Sequence, residues 1–144
     1  MGTRLRVARV VLAALFALSA PAWAAPLFQM SSKELGDGKM DIVVTEIERR
    51  PRLSVVEVTI NARGSAVGGS MFVVCSLRKL GQIRGNLHYV AKLEERPKPG
   101  QMLVGFLRDA NEDPRALGPE FKDVRRPDGV LDLEQFARFC GNMK

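Results

Sequence analysis

Few side chains in this sequence could do chemistry, and they lie far apart. There are two cysteines, Cys75 and Cys140, and a single histidine, His88. A cysteine nucleophile needs a base beside it, so Cys75 with His88 is the one such pair to weigh. It lacks a third residue to orient the imidazole, and a free thiol in an exported chain would be oxidised. Two cysteines in an oxidising compartment more often bond to each other, and a Cys75–Cys140 disulfide is the expectation. Closing so long a loop would stabilise the fold by about 4 kcal/mol in the chain-entropy model. A C-x-x-C pair is absent, so thioredoxin-like exchange has no support. One histidine and two paired cysteines leave no ligand set for zinc, and no serine is placed for a triad. No cofactor is expected.

One stretch has a metal-like spacing. Asp109, Asn111, Asp113 and Glu120 fall where an EF-hand loop places its calcium-binding oxygens. However, Pro114 stands where such a loop needs glycine for its sharp turn, and Ala116 follows. Asp128 to Phe136 looks like the second half of another such loop, but Val124 and Arg126 occupy its opening oxygen positions. A calcium-stabilised structural protein is thus an alternative resting on an incomplete motif.

Two basic clusters form a candidate binding surface: Arg49, Arg50 and Arg52 around Pro51, and Lys122, Arg125 and Arg126. They could touch anionic lipid or lipopolysaccharide, against the competing reading of ordinary solvated charge.

The elements that must position these groups follow from periodicity. Ser70 to Arg84 places Phe72, Val73, Leu77, Leu80 and Ile83 on one helical arc of about 140°. Ser70 is the expected N-cap and Gly85 the terminator. Cys75 lies off that arc, beside Met71 and Gln82. Leu87 to Glu94 then alternates as a strand. Met40–Arg49 and Leu53–Ala62 read as a hairpin turned at Pro51. Arg63–Gly69 is a glycine-rich loop leading to the helix, without the pattern of a phosphate-binding loop. Arg96–Gly100 is a turn, and Gln101–Leu107 is apolar on both faces, as an interior strand would be. Asp109–Gly129 is a long polar connection. Asp132, with Gln135 in a capping box, should start a last helix whose Leu133, Phe136, Phe139 and Cys140 share one face.

The expected fold is therefore α+β. A four-stranded, mainly antiparallel sheet (ββαββ) carries one central helix, and a disulfide staples a short C-terminal helix to it. An order of 2-1-3-4 would keep all neighbours antiparallel, though the sequence does not fix it.

Residues 1–24 read as a secretory signal peptide. Arg4, Arg6 and Arg9 precede an apolar run from Val10 to Leu18, and Ala22-Trp23-Ala24 ends in a cleavage site. The apolar run is too short to span a bilayer, so no transmembrane segment is expected in the mature chain. Removing 24 of the 144 residues leaves 120, and the formal charge of +6 falls to about +3 with those arginines. So mild and mixed a charge does not indicate nucleic-acid binding. Residues 25–39 should form a loosely ordered lead-in and residues 40–144 a single domain. The expected location is periplasmic or secreted. The expected role is an exported, non-catalytic small domain of the bacterial cell envelope, binding a protein partner or ligand. A small secreted enzyme is the competing class.

Overall fold

The computed structural model describes residues 27–36 and 38–142. The proposed signal peptide lies outside them. Among the described residues the fold is α+β, with one antiparallel sheet and two helices. The strands are β1 (Phe28–Ser31), β2 (Met40–Arg49), β3 (Leu53–Arg63), β4 (Tyr89–Glu94), β5 (Gln101–Leu107) and β6 (Leu131–Asp132). The helices are α1 (Ala66–Ile83), between β3 and β4, and α2 (Ala137–Gly141).

The sheet has six strands, not the expected four, in the order β1-β2-β3-β5-β4-β6. β1 arises within the expected lead-in. It pairs with β2 from Phe28↔Glu46 to Ser31↔Val43, burying Phe28. The buried Ser32 hydroxyl then bridges two backbone groups of β2, donating to the Met40 carbonyl at 3.0 Å and accepting from the Ile42 N–H at 2.9 Å. Four residues carry too little periodic signal to stand out beside Gly36 and Gly38. β6 is two residues long and exists only through its pairing with Tyr89 and Val90.

The expected 2-1-3-4 order is also corrected, because β3 pairs with β5 rather than β2 with β4. The reason is visible in β5, where all seven residues are buried. A strand apolar on both faces is most stable inside a sheet covered on both sides. On one face Ile42, Val44, Val56, Val104 and Phe106 pack under Phe72, Leu77 and Leu80 of α1. On the other, Leu53, Val55, Leu103 and Leu107 are covered by Leu117, Phe121 and Val124. The long polar connection therefore folds down as a second apolar layer, with two short 3-10 turns at Pro114–Leu117 and Pro119–Phe121. Gly105 permits this approach, since a Cβ there would lie 2.4 Å from Leu117 Cδ1.

α1 starts one turn before the expected point. Ser65, not Ser70, caps it and accepts from the Gly68 N–H at 3.0 Å. The glycines that suggested a loop are accommodated because Gly69 packs closely on Ile42 and on the Arg63 carbonyl. The expected last helix is a 3-10 turn, Leu133–Phe136, followed by α2, and the Asp132 side chain caps the turn by accepting from Glu134 N–H at 3.1 Å. Leu133 is buried as expected, but Phe139 is 62% exposed and adds nothing to the docking. Cys75 and Cys140 are bonded, with Cα atoms 5.3 Å apart.

Candidate binding groove

The two hairpins differ in length, and the mismatch makes a recess. β2 and β3 have 10 and 11 residues, whereas β4 and β5 have 6 and 7. The β3–β5 register ends at Glu57↔Gln101, and one further bond runs from Val58 N–H to the Gly100 carbonyl at 2.9 Å. Beyond it, Thr59 to Arg63 pair with β2 alone. The first half of α1 overhangs this missing continuation of β5. Between them lies a groove of about 360 Å³, lined on its apolar side by Val58, Ile60, Val73, Val74, Leu77 and Met102. Such a volume lies in the range of ligand sites. Ile60 is 43% exposed in it, and Val67 on the adjoining helix surface is 74% exposed.

The backbone along this groove is open. Alternate residues of a strand direct their N–H and C=O groups to the same side. Val58 directs its N–H toward Gly100, so Ile60 directs its own pair into the gap. Ile42 opposite Ile60 confirms the phase, since its N–H turns away to Ser32 Oγ. A register shift between Asp41 and Ile42 then bends the strand, so the open edge is short.

Charge is unevenly matched around the rim. Lys92 and Glu94 are bonded to each other, and that bond together with the Lys92 charge holds the Glu94 carboxyl below its ordinary range. Glu95 accepts from the Gly100 N–H at 3.2 Å. The Arg63 guanidinium has no partner among the described residues. Gln101, only 6% exposed, donates to Glu57 at 3.2 Å, while its Oε1 is buried without a donor among the described residues.

The opposite end of α1 is closed by a buried charge cluster. Glu46, 2% exposed, accepts from Arg49 through both oxygens, at 3.0 and 2.5 Å, and from the Ser54 hydroxyl at 2.6 Å. Arg84 lies 3.7 Å from Glu46, donates to the carbonyls of Arg50 and Pro51 at 2.6 and 3.0 Å, and stacks over Phe106 at 5.2 Å. Burial, the largest effect on Glu46, raises its pKa, but the bonds from Arg49 and Ser54 and the charges of Arg49 and Arg84 outweigh it. The carboxylate is held below its ordinary range. The groups are mutually saturated, which suits a structural plug.

The basic residues singled out from the sequence are mostly used within the chain. Arg49 serves Glu46, Arg50 pairs with Glu48 and lies 3.7 Å from Glu120, and Arg52 binds Glu112 and the Phe106 carbonyl. Arg125 donates to the carbonyls of Lys122 and Val124, and Arg126 to those of Glu112 and Asp109. The two clusters are therefore drawn to one end of the molecule, through Glu112 and Glu120, to fasten the covering loop. Of the calcium-like set, Asp109 accepts from the N–H groups of Asn111 and Glu112, and Asp113 pairs with Arg115, which holds its pKa at about 2. Glu120 faces Arg50 instead of converging with the others. Cys75 carries no thiol, so it is not a nucleophile for His88 to activate. His88 instead meets Asp132 at 2.9 Å and stacks on Tyr89.

Sequence reasoning missed the groove. Its signal was the unequal length of the apolar runs at Leu53–Ala62 and Gln101–Leu107. Searches against family models, curated proteins and solved structures gave no match to this chain.

Proposed function

We propose that this is an exported, non-catalytic domain of the bacterial cell envelope that binds a protein partner or ligand. The observation that carries this reading is the groove beside β3, where exposed apolar side chains adjoin a strand edge with no partner among the described residues. Export is supported by the disulfide, which fits an oxidising compartment. Among the described residues no helix is long and apolar enough to cross a membrane.

A small secreted enzyme would need a poised acid, base or nucleophile facing the groove. The rim offers Lys92 and Glu94, which neutralise each other, and Glu95, which accepts from the Gly100 N–H. Contact with anionic lipid or lipopolysaccharide has weaker support, because five of the six cations proposed for it already bond to oxygens of the chain. The test is affinity capture from an envelope extract by the mature protein and by Val74→Glu, with melting temperatures compared. The reading predicts a partner that Val74→Glu loses without loss of folding. The same retained set for both proteins would count against the groove.

A further inference from the structure

We infer that the groove takes an extended, apolar segment of a partner protein, which adds as a short strand to β3 at Ile60 and carries an acidic residue toward Arg63. This rests on the groove being a binding site and names its occupant.

Three observations favour an extended chain over other guests. The Ile60 N–H and C=O face the gap in phase with the β5 ladder, and β5 starts too late to meet them. Another strand satisfies both groups at once, whereas a helix or an acyl chain satisfies neither. The space continues the line of β5, so alternate side chains of the guest would rise toward Val73 and Val74. The edge is also only partly guarded, by its bulge. Native sheets blunt open edges with proline or lysine, and residues 58–62 contain neither. The bulge near Asn61 shortens the edge, which limits the guest to a few residues.

Charge sets the chemistry of its flank. Arg63 lines the groove with a guanidinium that has no partner among the described residues, while Lys92 is already held by Glu94. A carboxylate at the Arg63 end of the guest completes an ion pair there, and a cation would be repelled.

The test uses the full mature chain with its disulfide intact. The probe is a C-terminally amidated peptide, Asp-Val-Thr-Val-Thr-Val-Asp, with fluorescein at its N-terminus and an acid at each end to serve either strand direction. Anisotropy should show saturable binding. Two further peptides carry N-methyl groups on either the odd or the even residues. One set of amides faces β3 and the other does not, so one peptide should lose affinity by about tenfold or more and the other keep it. Arg63→Glu should weaken the Asp-flanked peptide and favour a Lys-flanked one. These changes leave the protein core untouched, so a folding defect cannot imitate them. Equal binding of both N-methylated peptides would overturn strand addition. The dye 1-anilinonaphthalene-8-sulfonate separates the two levels of the argument. If it binds the wild type but not Val74→Glu while no peptide binds, strand addition fails and the groove stands. If neither binds, both fail. A concentration-dependent dimer lost on Ile60→Pro, with no peptide binding, would replace the partner by a second copy and overturn the proposal.

Discussion

The two ends of α1 meet the sheet in opposite ways. At its C-terminal end the chain doubles back, with the Leu87 N–H bonded to the Gly81 carbonyl at 2.9 Å, and Arg84 reaches Glu46 and the β2–β3 turn. The buried Glu46 and Arg84 are matched there from within the chain. At the N-terminal end β5 stops short, leaving Ile60 exposed and its outward backbone groups without a strand partner among the described residues. Polar groups left in water at an open edge cost the fold little, whereas the buried charges at the closed end must be matched. On the proposed reading, the closed end serves stability and the open end recognition.

Breaking the closed side should cost most. Cys140→Ser removes the bond that fastens α2 to the flank of α1 away from the groove. A loss of about 4 kcal/mol is expected, with residues 133–142 loosening before the sheet. Denaturant titration and amide exchange would read both. Glu46→Ala should cost about 3 kcal/mol, because it leaves Arg84 buried without its carboxylate. The same site predicts acid sensitivity. A carboxyl with a depressed folded pKa stabilises fully above its unfolded value and loses that contribution as pH falls through the folded one, so the loss sets in below the ordinary value of 4.5. Melting temperature against pH should therefore fall less steeply in Glu46→Gln across that range. Gly81→Ala should cost about 2 kcal/mol, because a Cβ would sit 2.1 Å from the Leu87 carbonyl. The open end should respond least. Ile60→Thr lies at an exposed edge and should stay within about 0.5 kcal/mol of wild type in urea.

How much of this was legible depended on whether the signal was local. The hairpin at Pro51, the helix carrying Phe72 and Leu80, and the alternating strand at Tyr89 each declare themselves over a short window. The Cys75–Cys140 bond was readable because the count was two. β1 and β6 were not, since four and two residues owe their form to neighbours distant in sequence. The plug was hidden for the same reason, as Glu46 and Arg84 lie far apart in the chain and look like surface charges. Phe139 shows the converse, a residue expected on the same face as Leu133 that lies in solvent beyond the 3-10 turn. The groove depends on a difference between two strands and on which strand pairs with β3. Its decisive residue, Ile60, reads in sequence as one more member of an alternating run.

The most direct test of the contrast between the two ends is residue-resolved amide hydrogen exchange with and without the Asp-flanked peptide. In the free protein, the account predicts fast exchange at Ile60 and slow exchange at Val56 and Leu87, whose amides are paired in the ladder and against α1. On adding peptide, Ile60 should become protected while Val56 and Leu87 stay unchanged. An Ile60 amide already as slow as Val56 in the free protein, or one that stays fast under saturating peptide, would contradict it.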